Sequence, residues 1–176
     1  LFFQDALANL KKLSYNLALE QGMGKVEERI KELGLALPSA PAPIGNYLPW
    51  TRSASLVFIS GQLPRKDGKI IYLGKVPKEL SIDEAKESAK LCLLNALSVL
   101  KSAVGELDRV KQVVRLGCFV ASEPDFFGQA EIANGASELL VEIFGGKGKH
   151  SRITAGVNAL PGNASVELDL IVEVEE

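Results

Sequence analysis

Residues 145–156, GGKGKHSRITAG, bring together glycines, two lysines, the chain's single histidine and an arginine. Three chemistries are open to such a set: a phosphate cradle, a nucleic-acid patch, or a lead-in that aims one side chain at a small anion. A Walker-type cradle needs G-x-x-x-x-G-K-[ST] opening a helix. Here Ile143 and His150 fall on two of the required positions, and the stretch follows a helical pattern instead of starting one. Lys147, Lys149, His150 and Arg152 supply charge for RNA, yet no aromatic residue lies among them to stack bases. Arg152 stands apart, because it begins RITAGVNA, which reads as a strand. A guanidinium leaving a rigid element forms a bidentate pair with a carboxylate, a geometry lysine cannot match. A structural ion pair is the competing reading.

Proton chemistry has one further candidate. Glu167 and Asp169 alternate onto one face of the last strand, where proximity raises one carboxyl toward a general acid/base role. The plainer alternative is that both face water or an interface. Nucleophilic catalysis fits less well: a serine or cysteine needs a base, His150 is the only histidine, and no G-x-S-x-G elbow occurs. The same histidine count argues against a histidine-based zinc site. Cys92 and Cys118 lie far apart in apolar stretches without metal-type spacing and read as reduced core residues.

These residues need elements to position them. Val26, Ile30 and Leu33 follow i, i+4, i+7 up to Gly34, which predicts a short amphipathic helix. LPSAPAPIGNYLPW, with its four prolines, predicts an extended loop able to hold Tyr47. SLVFISG reads as a strand, and KIIYLG, after the Lys66-Asp67-Gly68 turn, as its hairpin partner. Ser81 with Glu84 predicts a capping box, followed by a helix whose face runs through Ala85, Ala89, Cys92, Ala96, Val99 and Ala103 to Gly105. VKQVVRLGCFVA is a strand by its β-branched content. Phe126 to Phe144 is a second long helix with an apolar stripe of Phe127, Ala130, Ser137, Val141 and Phe144. In the final strand Val166, Leu168, Leu170, Val172 and Val174 share one face.

The order ββαβαββ predicts an α+β fold with two long helices on one face of a mixed sheet. Leu56 and Phe58 point opposite to Val57 and Ile59, so that strand is apolar on both faces. One helical layer covers only one of them; another subunit or the N-terminal segment must cover the other, and the expectation is a homo-oligomer with clefts shared between chains, an edge strand partly covered by the proline loop being the alternative. The chain has 176 residues, 47% of them hydrophobic, and a net charge of −2. That is enough for one core, with no general field for polyanions. No apolar run reaches the ~18 residues of a membrane span. Because the only methionine is Met23, residues 1–22 read as a tag or upstream extension and residues 23–176 as a single domain.

APIGNYLPW, FISGQLP, IANGASELL, HSRITAGVNALP and ASVELDLIVEVEE resemble, in order and spacing, the RidA/YjgF family of enamine/imine deaminases. The N-terminal helix and ELGLALP are similar to its longer subgroup, often labelled endoribonuclease-like or chorismate-mutase-like. The resemblance implies a chorismate-mutase-like homotrimer in the cytoplasm, with clefts between subunits. It implies hydrolysis of 2-imino or enamine acids to 2-keto acids and ammonia, without metal or cofactor. It also implies that Arg152 clamps the substrate carboxylate and Glu167 positions or activates water, while Tyr47, Gly61, Asn134 and Thr154 line the pocket. Thr154 stands where the deaminating group commonly has cysteine, and Asn46 where it commonly has proline. A carboxylate-binding trimer without turnover, an endoribonuclease and a protein-interaction scaffold are the alternatives.

Overall fold

A computed structural model describes residues 24–40 and 45–176. Residues 1–22, expected to be a tag or upstream extension, and part of the proline segment lie outside the described residues. The elements are α1 (Lys25–Glu32), β1 (Trp50–Ser53), β2 (Leu56–Gln62), β3 (Arg65–Lys66), β4 (Lys69–Ile70), α2 (Ile82–Val104), β5 (Val110–Ala121), α3 (Gln129–Phe144), β6 (Ser151–Val157) and β7 (Val166–Val174). Five strands form a mixed sheet in the order β1-β2-β7-β5-β6. Only β5 and β6 run parallel, joined by the crossover through α3.

The capping box at the start of α2 forms as the sequence predicts: Ser81 Oγ accepts from the Glu84 amide, and the Glu84 carboxylate accepts from the Ser81 amide. Gly105 ends the helix at a positive φ. Ala85, Ala89, Cys92, Ala96 and Val99 are fully buried. Burial is continuous from Cys92 to Leu100, so the middle of α2 is enclosed on every side. Against it lie Val166, Leu168, Leu170, Val172 and Val174 of β7, together with Leu116, Cys118 and Val120 of β5. α1 adds Ile30 to this core.

Two strand expectations are corrected. The hairpin partner of β2 is β1, through a turn at Ala54-Ser55 in which Ala54 takes a positive φ. KIIYLG contributes only Lys69–Ile70, which closes a separate two-stranded ribbon on Arg65–Lys66 around Asp67-Gly68. The Asp67-Gly68 turn forms but joins different strands. The true hairpin turn has no glycine or asparagine to announce it.

α3 is corrected as well. It begins at Gln129, and its buried residues include Ile132, Ala133, Ala136, Leu139, Leu140 and Ile143. Of the expected stripe only Phe144 is buried; Phe127 is 87% exposed, and Ala130 and Val141 face outward. Two apolar rows run along this helix, and the richer aliphatic one wins the core. The other row, with Asn134 and Ser137 inside it, is left on the surface.

Candidate functional site

Arg152 is the second residue of β6, the edge strand. Its register partner on β5 is Leu116, which pairs in turn with Leu170 on β7, so this row faces the helices. α3 holds the guanidinium there. Nη1 donates to Asn134 Oδ1 at 2.9 Å and to Ser137 Oγ at 3.0 Å, and Nη2 donates to the Ala130 carbonyl at 3.4 Å. Asn134 and Ser137 are three residues apart, so both reach one spot. Nε–H has no acceptor among the described residues, and Nη2 carries two hydrogens for its single contact to Ala130, so the Nε/Nη2 edge keeps donors for a planar anion.

Thr154 follows on the same side, in register with Cys118. Its Oγ1 is buried without a hydrogen-bond partner. A hydroxyl left in that condition costs about 1–3 kcal/mol. Neither cysteine supplies a nucleophile here. Burial pushes the Cys118 thiol up to about 12, against an opposing pull from Arg152, and burial also raises Cys92.

Glu167 belongs to the opposite face. It pairs with Phe119, which pairs with Ala155, and this row points away from the helices. Ser60 and Gly61 together oppose a single β7 position, a bulge that falls on the SGQ motif. The bare backbone of Gly61 makes room for the carboxylate: a Cβ there would lie 2.1 Å from Glu167 Oε1. A second glycine plays the same part for Asp169, whose Oδ1 would lie 2.6 Å from a Cβ on Gly117. Partial burial, with the Asp169 charge adding to it, pushes the Glu167 carboxyl above its ordinary value. Ser60 Oγ donates to the Leu48 carbonyl at 2.7 Å and so ties the loop after Tyr47 to this end of the sheet. Tyr47 itself is half exposed.

The six residues therefore fall into two sets. Arg152, Asn134 and Thr154 lie at the β6 edge on the helix side. Glu167 and Gly61 lie on the open face, with Tyr47 on the loop tied to that end. Between β6 and β7 stands β5, so the two sets are about 10 Å apart across the sheet and point in opposite directions. Arg152 and Glu167 of one chain cannot reach the same small molecule. Ser137, which the sequence pattern puts in an apolar stripe, joins the Arg152 set; its spacing of three from Asn134 is the sequence signal for this.

The GGKG turn is exposed at Gly145, Gly146 and Lys147 and buried at Gly148. Gly145–Gly148 is a 3-10 turn packed on α3, where a Cβ on Gly148 would lie 2.2 Å from the Leu140 carbonyl oxygen. Lys147 Nζ donates to the Val110 carbonyl at 2.8 Å.

Comparison with known proteins places this geometry in a family. The chain is 41% identical over 152 residues to Protein TCP17 of Trypanosoma cruzi, covering 86% of this chain and 95% of that protein. It is 26% identical over 141 residues to the 2-iminobutanoate/2-iminopropanoate deaminase of Dermatophagoides farinae, covering 80% and 95%. The crystal structure of Atu1372 from Agrobacterium tumefaciens, a protein with unknown function, superposes with a TM-score of 0.81 at 43% identity, covering 85% of this chain and 92% of that one. Residues 27–174 match the family model described as "YjgF/chorismate_mutase-like, putative endoribonuclease". The chain belongs to the YjgF/chorismate mutase-like family.

Proposed function

We propose that the protein hydrolyses 2-imino or enamine acids to 2-keto acids and ammonia, at a site completed by two copies of the chain in a homotrimer. Support comes first from the free edge of Arg152, a charged fork already oriented by α3 and without an ion-pair partner among the described residues. In this reading Arg152 takes the substrate carboxylate, with Asn134 and Thr154 beside it. Glu167, Gly61 and Tyr47 of the neighbouring subunit close over the reacting carbon.

The chemistry asks little beyond placement. Water adds its oxygen to the imine carbon, and Glu167 accepts the proton lost from that water and passes it to nitrogen. The carbinolamine then collapses to the keto acid and releases ammonia. Burial, with the Asp169 charge adding to it, raises the affinity of the Glu167 carboxylate for a proton, the direction that favours its taking one from water. Because the imine carbon is already electrophilic, orientation and a proton carrier supply most of what is needed. The 26% identity to a named deaminase supports the reaction class. Ribonuclease action is less well supported, since Lys147 donates to a backbone carbonyl of β5 and no Phe, Tyr or Trp lies between Lys147 and Arg152 in the sequence.

The test couples the protein to a pyridoxal-phosphate dehydratase and follows keto-acid appearance. Wild type should accelerate it, and Arg152→Ala should lose about 100-fold in kcat/KM, as expected for a charge-assisted pair. No acceleration over buffer sinks the enzymatic reading. Protection of wild type against heat by a keto acid, without turnover, would leave a binding module in its place.

A further inference from the structure

The chain's single histidine has no part in the reaction above, yet it is wired to it. His150 Nδ1 lies 2.6 Å from the Gly148 carbonyl oxygen, and Nε2 lies 3.1 Å from Ser137 Oγ. Ser137 Oγ is in turn 3.0 Å from Arg152 Nη1. One proton arrangement satisfies the whole series: Nδ1–H donates to Gly148, Ser137 Oγ–H donates to Nε2, and Arg152 Nη1–H donates to Ser137 Oγ. The far end is fixed, because the Gly148 backbone is packed against the Leu140 carbonyl at the end of α3.

This fixing matters because of what else lines the groove. Ser137, His150 and Arg152 border an open groove of about 580 Å³ together with Glu138, Glu142 and Lys149. Two carboxylates thus border the same space as the guanidinium, yet Arg152 forms no ion pair with either among the described residues. Left to itself, a long arginine side chain would swing to the nearest carboxylate and neutralise its own fork. A serine in a helix would likewise turn its hydroxyl back to a carbonyl of its own helix. His150 gives the Ser137 hydroxyl a different acceptor and so leaves its lone pairs facing Arg152.

We propose that His150, acting through Ser137, is a positioning residue that holds Arg152 away from Glu138 and Glu142 and keeps its Nε/Nη2 edge open for the substrate carboxylate. The inference rests on the reading of Arg152 as a carboxylate clamp. It extends that reading to a specific way in which the clamp is kept from being quenched inside its own subunit.

The experiment measures 2-oxobutanoate binding by calorimetry and, on the free protein, the Arg152 Nε–H resonance by NMR. His150→Leu and Ser137→Ala should each weaken binding about tenfold, and the double variant should be no worse than Ser137→Ala alone. His150→Gln, which keeps an acceptor for the serine, should recover most of the loss. Adding Glu138→Gln and Glu142→Gln to His150→Leu should restore binding, because the competing carboxylates are gone; a merely structural role for His150 would give no such rescue. Wild-type affinity in His150→Leu, or a loss that the two glutamines do not repair, overturns the proposal. If wild type itself fails to bind the keto acid, the clamp reading fails and the NMR signal decides the rest. A resonance that moves in His150→Leu and returns with the two glutamines sustains the positioning series, whereas an unmoved resonance overturns it.

Discussion

At the residue scale, the pair that matters is Glu167 and Asp169, because their alternation was legible but their inequality was not. Glu167 is raised by burial and then by the Asp169 charge. Its folded-state affinity for a proton exceeds that in the unfolded chain. Its contribution to stability is therefore fully present below the unfolded value and is lost as pH rises through the folded one. Glu167→Gln removes that loss. The variant should gain thermal stability relative to wild type at neutral pH and show little gain at pH 4, measured as Tm across pH. The same change should lower kcat by about 100-fold or more if the carboxyl carries protons in the reaction. A variant equally active and equally pH-sensitive would make Glu167 a bystander. The role of Ser137 escaped sequence reading for a related reason: serine in a helix has no fixed partner until the neighbouring strand delivers one.

At the element scale, bulges and caps turn sequence into placement. The bulge at Ser60-Gly61 lets Glu167 lie over backbone. In Gly61→Ala the new methyl would meet the Glu167 carboxylate at 2.1 Å, the mobile end of a side chain, and no positive φ opposes it. Alanine should therefore displace the carboxylate without unfolding the strand. Activity should fall at least about tenfold with Tm shifting by only a few degrees, whereas Gly117→Ala, which displaces Asp169, should cost less activity. The cap of α2 gives the opposite pattern: Ser81→Ala removes the hydrogen bond to the Glu84 amide and should cost about 1 kcal/mol in denaturant unfolding while leaving the kinetics alone. That box was fully legible, since both of its residues are local. β1 was not, because WTRS carries no alternation and its turn is built on Ala54. The outward row of α3 is apolar enough to predict a core face, since periodicity ranks faces without saying which one meets the sheet.

At the scale of the whole molecule, the two-faced strand predicted from Leu56 to Ile59 leaves a surface that the described residues of one chain do not cover. Phe58 is 37% exposed opposite Ile171, and Ile153 is 46% exposed in the row of Gly117 and Asp169. The outward row of α3 is a second such surface. In the proposed trimer a neighbouring subunit would cover such an open sheet face. The sequence predicts a shared cleft but not which residue would come from which side, because strand parity and the order β2-β7-β5-β6 are properties of the folded sheet. Their consequence is a complementation experiment. If Arg152 of one subunit works with Glu167 of the next, Arg152→Ala and Glu167→Gln are each inactive alone. Unfolding, mixing and refolding them together would then create sites with both wild-type residues. With random assembly about one site in four is intact, so roughly a quarter of wild-type activity should return. Co-refolded protein as inactive as its parents, despite mixed oligomers confirmed by mass, would confine both residues to one chain and contradict the separation across β5. Recovery near a quarter, disappearing when the mixture is diluted below its assembly range, would tie the chemistry to the interface.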